Sequence, residues 1–276
     1  MKAVLPGVLF CLISLGFVGV MGASITTIDM GSADSFAVLA GSTVTNASST
    51  NIHGDLGVSP GTAITGFPPG IVIGNIHSGD TAAQQAKTSL LNALNLAAGQ
   101  PCGAALTGQD LGGLVLTPGV YCFASSAQLT GTLTLNSQGN PNAFFLIQIG
   151  STLTTASGSS VVMSNSGTAD NVFFDVGSSA TLGTGTAFNG NILALTSITL
   201  NTGASIQCGR ALAANGAVTL DSNSISIDTP GCEASASTPG TVPEPSTGLL
   251  LGFSLVVVGV VSRVVLPRRR VATAHT

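Results

Sequence analysis

The side chains best placed to act together in this chain are hydroxyls. The lines Asn171–Gly190, Asn191–Gly209 and Arg210–Asp228 are each 19 or 20 residues long and run from an alternating apolar stretch into a Thr/Ser/Gly/Asn stretch and back. Aligned with the segments before them, they place Thr130, Thr154, Thr181, Thr199 and Thr219 in one column, beside an inward column of Leu129, Leu153, Ala180 and Ile198. Ser157-Gly158-Ser159-Ser160, Thr184-Gly185-Thr186-Ala187 and Thr202-Gly203-Ala204-Ser205 fall together next to them, and Thr132 lies in the strand pattern Ala127–Leu135. Stacked threonines offer hydroxyls that tie water to the protein and methyls that restrict it. Thr is stiff at χ1, so such a grid is ordered before anything binds. The hydroxyls such a surface would draw on are Thr130, Thr132, Thr154, Ser157, Ser159, Thr181, Thr184, Thr186, Thr199, Thr202, Ser205 and Thr219. The plainer account is that Thr and Ser simply suit exposed β positions.

Other chemistry finds less support. Asp170 and Asp175 flank one strand, but no cation accompanies them and Arg210 lies a coil or more away. Polysaccharide cleavage needs paired carboxylates in a groove. His53 and His77 lie near turns, with no Cys, Ser elbow or acid at a recognised spacing. Calcium-binding Gly-Gly-x-Gly-x-Asp repeats are missing, as is the close Cys/His spacing of a metal site. No enzyme activity, metal or cofactor is expected.

A repeat of 19 or 20 residues cannot enclose its own core and must stack on its neighbours. Disordered chains are rich in charge and poor in β-branched residues, the reverse of this composition. Strand patterns begin at Phe36–Asn46 and resume after Gly112, through Gly113–Phe123, Ala127–Leu135, Ala143–Ile149 and Thr152–Met163. Gly54–Gly74 is dense in turns. One helix is expected over about 79–98, capped by Ser78-Gly79-Asp80 and stopped by Gly99 and Pro101. Its apolar face (Ala82, Ala83, Ala86, Leu90, Leu91, Leu94, Ala97) must lie on a side of the solenoid. Between Ser24 and Val242 the only basic residues are Lys87 and Arg210, against ten scattered acids. Two cations cannot track a phosphate backbone, so nucleic acid is excluded as a partner.

The ends read as processing segments. Met1–Ala23 has Lys2, an apolar run Val8–Val20 and small residues, a secretory signal with cleavage after Ala23 that removes Cys11. After a linker at 233–242, the tail has Pro243-Glu244-Pro245, an apolar segment at 248–266 long enough to cross a bilayer, and Arg268-Arg269-Arg270. This order resembles the PEP-CTERM sorting signal of Gram-negative bacteria, here 243–270. The resemblance implies cleavage near Pro243–Pro245 by an exosortase, a transient inner-membrane anchor, and release to the cell surface or medium. The competing reading is a permanent anchor. Of the exported cysteines, Cys102, Cys122, Cys208 and Cys232, three pairings are possible. Nearness in sequence favours Cys102–Cys122 and Cys208–Cys232, each closing a loop worth roughly 3 kcal/mol.

FAVLAGSTVTN at Phe36, GDLGVSPGTAITGFPPG at Gly54, LTPGVYCF at Leu116, TAFNGNILA at Thr186 and GRALAANGAVTLD at Gly209 resemble the ice-binding-like (DUF3494) family, in that family's order, over about residues 34–228. The resemblance implies a mainly β fold, a discontinuous β-solenoid of triangular cross-section spanning 24–232 with one long helix packed alongside. It also implies that one face binds ice, often through a Thr-Ala/Gly-x-Thr/Asn pattern. Thr202-Gly203-Ala204-Ser205 approximates that pattern, and Thr186-Ala187-Phe188-Asn189 matches its letters. Ice or ordered water is then the expected partner. The alternative is a matrix or adhesion protein of a biofilm whose same face binds extracellular polysaccharide.

Overall fold

A computed structural model of the protein describes residues 27–227. The signal segment 1–23, Cys232, the linker 233–242 and the sorting segment 243–270 with its span 248–266 lie outside the described residues.

Twenty-four short strands wind into three parallel sheets around one core. Each complete winding gives one strand to each sheet, and the windings at the two ends are partial. The first sheet orders nine strands as Ile76–Ser78, Asp55–Val58, Phe36–Ala40, Ala211–Ala213, Asn191–Ala194, Val172–Val176, Phe145–Ile149, Gly119–Phe123 and Ala104–Ala105. The second orders seven: Ala127–Leu129, Leu153–Thr155, Ala180–Leu182, Ile198–Leu200, Val218–Leu220, Thr43–Asn46 and Ala63–Thr65. The third orders eight: Ile71–Ile73, Asn51–His53, Ser224–Ser226, Ser205–Gln207, Ala187–Asn189, Ser160–Ser164, Thr132–Asn136 and Val115–Leu116. Apolar residues at alternate positions, such as Val44, Ile52, Leu133, Phe174, Phe188, Ile198 and Ile225, fill the space between the sheets.

The stack is discontinuous in sequence. The winding that ends at Ser226 is continued by the first strands of the chain: Val38 pairs with Ala211, Val44 with Val218 and Ile52 with Ile225. The strands from Asp55 to Ser78 add the outermost winding. The chain must then return to the far end of the first sheet to begin at Ala104. Nine strands leave eight spacings of about 4.8 Å, about 38 Å in all. The helix α1 (Thr81–Ala98), 18 residues and about 27 Å long, covers most of that distance.

α1 starts two residues later than its expected beginning, because Gly79 has φ +67° and the Asp80 carboxylate caps by accepting the Ala83 N–H at 2.9 Å. Ala86, Leu90, Ala93, Leu94 and Ala97 pack on Leu39, Leu146, Phe173, Leu193 and Leu212 of the first sheet. Small alanines allow the close approach. Leu91, assigned to the buried face from spacing, is 38% exposed. The first sheet is thus covered on both sides, which is why FAVLA reads as a continuous apolar run, and VFFDV as one broken only by Asp175, rather than alternating.

Cys102 and Cys122 form the expected disulfide. Cys208 is also disulfide-bonded. Arg210 binds the N-terminal segment to the last winding. Its guanidinium donates to the Asp34 carboxylate at 2.7 Å, to the Asp34 carbonyl, and to Asn191 Oδ1 at 2.8 Å.

Candidate functional site

The second sheet carries the most uniform row of hydroxyls. Strand pairing puts Thr154, Thr181, Thr199, Thr219, Thr45 and Thr65 in register on six consecutive strands, with Gln128 on the seventh. Their flanking residues alternate inward, so each Thr points out. Thr154, Thr219, Thr45 and Thr65 are exposed, and Thr181 and Thr199 half-buried. A second outward row lies one alternation before it: Ser126, Thr152, Ser179, Ser197 and Thr43, broken by Ala217 and ended by Ala63. Its members are tied along the stack. Thr152 Oγ1 donates to Ser126 Oγ at 2.9 Å, and the Ser179 and Ser197 hydroxyls accept the N–H groups of Ser197 and Ala217. The result is a hydroxyl grid spaced about 4.8 Å along the stack and about 6.6 Å across it, with no charged side chain in either row.

This arrangement corrects several sequence expectations. Ala127, not Leu129, stands opposite Leu153, so Gln128 rather than Thr130 heads the threonine column. The corner after Leu129 holds only Thr130 and Gly131, where the next windings use four residues. Counting from the corners therefore slips by two, and a slip of two leaves the in/out alternation unchanged. Thr130 sits exposed at the corner between the second and third sheets, as do Ser157, Thr184 and Thr202. Gly158, Gly185 and Gly203 turn those corners with φ of +71°, +66° and +72°. Thr202 donates to the Asp221 carboxylate of the next winding. Thr132 and Ser205 belong to the third sheet, where Thr132 shares a hydrogen bond of 2.9 Å with Ser160.

Ser159 and Thr186 are not surface groups at all. Ser159 is 1% exposed and donates to the Leu129 carbonyl at 2.9 Å. Thr186 is fully buried against Thr155. In Thr186-Ala187-Phe188-Asn189 both Thr186 and Phe188 point inside, so the segment does not present its letters on one face. The twelve expected residues thus divide among the second sheet, a corner, the third sheet and the interior. Thr45, Thr65 and the serine row were missed. Thr45 and Thr65 lie in the first windings, far in sequence from the repeats, although the alternation in FAVLAGSTVTN already marks Thr43 and Thr45 as outward.

Asp34, Asp55, Asp80, Asp110 and His77 bond within the scaffold. Asp170 lines one cleft with Asp34, Asp55 and Arg210, while Asp175 lines another beneath α1, so they share no groove. His77 does have acid partners: Nδ1 is 2.8 Å from Asp80 and Nε2 is 3.9 Å from Asp55. The Ala83 N–H, and then His77, hold the Asp80 carboxyl below its usual range. No cluster of three or more His, Cys, Asp or Glu fit to hold a metal occurs among the described residues.

Comparison with known proteins finds relatives of the same fold. The family model described as ice-binding-like matches residues 38–226. An ice-binding protein of Nostoc sp. (strain HG1) is 58% identical over 228 residues, spanning 82% of this chain and 83% of that protein. A crystal structure of an ice binding protein from an Antarctic biological consortium superposes with a TM-score of 0.71 at 50% identity, over 73% of this chain and 91% of the other. That of an ice-binding protein from the Antarctic ascomycete Antarctomyces psychrotrophicus gives 0.71 at 39% identity, over 74% and 100%.

Proposed function

The chain belongs to the ice-binding-like family, and on that premise we propose that it adsorbs to ice through the second sheet. The observation that carries this reading is the column Thr154–Thr181–Thr199–Thr219–Thr45–Thr65, one outward threonine per winding. A spacing of about 4.8 Å approaches a repeat of the ice lattice. Each methyl restricts first-layer water and each hydroxyl holds it, so many weak contacts add. The first sheet is covered by α1. The third mixes hydroxyls with His53, Gln207, Ile71 and Ile73, a surface without one repeating chemistry. Adsorption of this kind slows ice growth and recrystallisation.

Thermal hysteresis and ice-recrystallisation assays on the purified protein test the reading. Ordinary ice growth at high protein concentration would overturn it and favour polysaccharide binding by a matrix component. The threonine column holds no catalytic pair, and no reaction is proposed for it.

For the segments outside the described residues, the proposal is export through 1–23 and sorting through 243–270. The solenoid domain would span 24–232 and the linker 233–242. An exosortase would cut near Pro243, Glu244 and Pro245, releasing the domain to the cell surface or medium. Mass spectrometry of the secreted protein decides this. A C-terminus beyond residue 266 would sink the cleavage and leave a permanent anchor.

A further inference from the structure

We propose that the cleft between the C-terminal end of α1 and the first sheet is a binding site for a primary alkylammonium ion, an amine carried on an apolar body. The cleft has a volume of about 620 Å³, within the usual size of small-molecule sites. It is independent of the threonine face.

The argument starts from Asp175. It is the one charged residue of the strand Val172–Val176, whose other members are all apolar and buried. Strand pairing sets it between Gln148 and Leu193 on the sheet surface that α1 covers. Asp175 is only 9% exposed, lines the cleft, and makes no hydrogen bond or ion pair among the described residues. A carboxylate so buried without a donor is costly. Burial alone pushes its pKa up to about 6.

Asn95 and Thr107 also line the cleft, but the polar side chain paired beside Asp175 on the next strand, Gln148, presents an acceptor. The Gln148 amide nitrogen is already committed, donating to the Ala97 carbonyl at 2.7 Å and the Gln100 carbonyl at 2.9 Å. That fixes its Oε1 within 3.2 Å of Cys122 Sγ, a disulfide sulfur with no proton to give. α1 ends here, so the negative end of its dipole also faces the cleft. No basic side chain and no second titratable group lines the space. The remaining wall is apolar, including Leu94, Ala98, Phe123, Ile149 and Leu195, the last of which is 42% exposed.

Two unserved acceptors, a helix C-terminus and an apolar wall together select a ligand with positive charge, several donors and a hydrocarbon body. A primary ammonium has three N–H donors. One reaches Asp175, one reaches Gln148 Oε1, and the third stays in water at the mouth. An anion is repelled, and an alcohol brings one donor and no charge.

Calorimetric titration of the purified full chain with n-hexylammonium chloride tests this at about pH 8, where the carboxyl is ionised and the amine charged. The expected result is one saturable site. n-Hexanol and hexanoate should bind about tenfold more weakly or not at all, because they lack the charge-assisted hydrogen bond. Asp175→Asn, nearly the same shape, and acidification to about pH 4.5 should each weaken binding about tenfold. Ala98→Phe, which narrows the apolar wall and leaves Asp175 in place, should weaken it too. The proposal is overturned by no saturable uptake, by hexanol binding as well as hexylammonium, or by unaltered affinity in Asp175→Asn. If that variant does not fold, the acid titration and Ala98→Phe decide.

Discussion

The hydroxyls of Thr155 and Thr186 meet at 2.7 Å inside the solenoid, on successive windings and out of reach of solvent. Thr155 Oγ1 also accepts the Gly183 N–H at 2.9 Å, and Thr186 Oγ1 lies 3.3 Å from the Ala156 carbonyl. The pair closes the polar groups of a corner that would otherwise be buried unpaired.

Thr186→Val keeps the volume and removes the hydroxyl. It should cost about 1–2 kcal/mol of stability, the usual effect of leaving a buried partner unsatisfied. Chemical denaturation measures that loss. Thermal hysteresis of the folded variant should stay at the parent value, since Thr186 does not reach the surface.

Thr199 lies mid-column on the second sheet, and Ser205 faces out from the third. Thr199→Tyr should remove most of the thermal hysteresis while leaving the melting temperature close to that of the parent. Ser205→Tyr should leave hysteresis near the parent level. Thr184→Tyr and Thr202→Tyr, at the corner, should fall between. Equal loss from Ser205→Tyr and Thr199→Tyr would move the ice-contacting surface off the second sheet.

Asp175 makes stability depend on pH. Its carboxyl titrates near 3.8 when unfolded and at about 6 when buried. Between these values the native state keeps a proton that the unfolded chain has released, so stability falls as pH rises through that window. The full difference is about 3 kcal/mol. Asp175→Asn should flatten this part of the profile and exceed the parent in stability above about pH 6. Urea melts of both proteins across pH 4 to 7 measure it, and parallel profiles would contradict it.

Gly185 turns its corner at φ +66°, and a Cβ added there meets nothing within 4 Å. Gly185→Ala should therefore cost about 1 kcal/mol through backbone conformation alone. Denaturant melts check the size. A much larger loss would point to a contact rather than to the dihedral.

Much of this molecule is visible in its residues. The 19-to-20-residue lines require stacking. Ser78-Gly79-Asp80 and Gly99 bracket the helix α1 to within two residues. Cys102 and Cys122, close in sequence, are bonded. Alternation also sorted Thr154, Thr181, Thr199 and Thr219 outward from Leu153, Ala180 and Ile198 inward.

Alternation fixes only parity, however. It cannot tell Gln128 from Thr130, because a shift of two residues returns every side chain to the same face. It is also lost at the corners, where Ser159 and Thr186 look like their exposed neighbours yet turn inward to satisfy backbone carbonyls and Thr155. Nor can any local pattern announce that Thr43–Asn46 stacks on Val218–Leu220, which extends the column by Thr45 and Thr65. The residues thus determined by themselves that there would be windings, a helix and a charge-poor, hydroxyl-rich exterior. Which hydroxyls line up, and on which side, was decided by hydrogen bonding between windings, since the register of parallel strands is set by the partner backbone and not by the strand's own sequence.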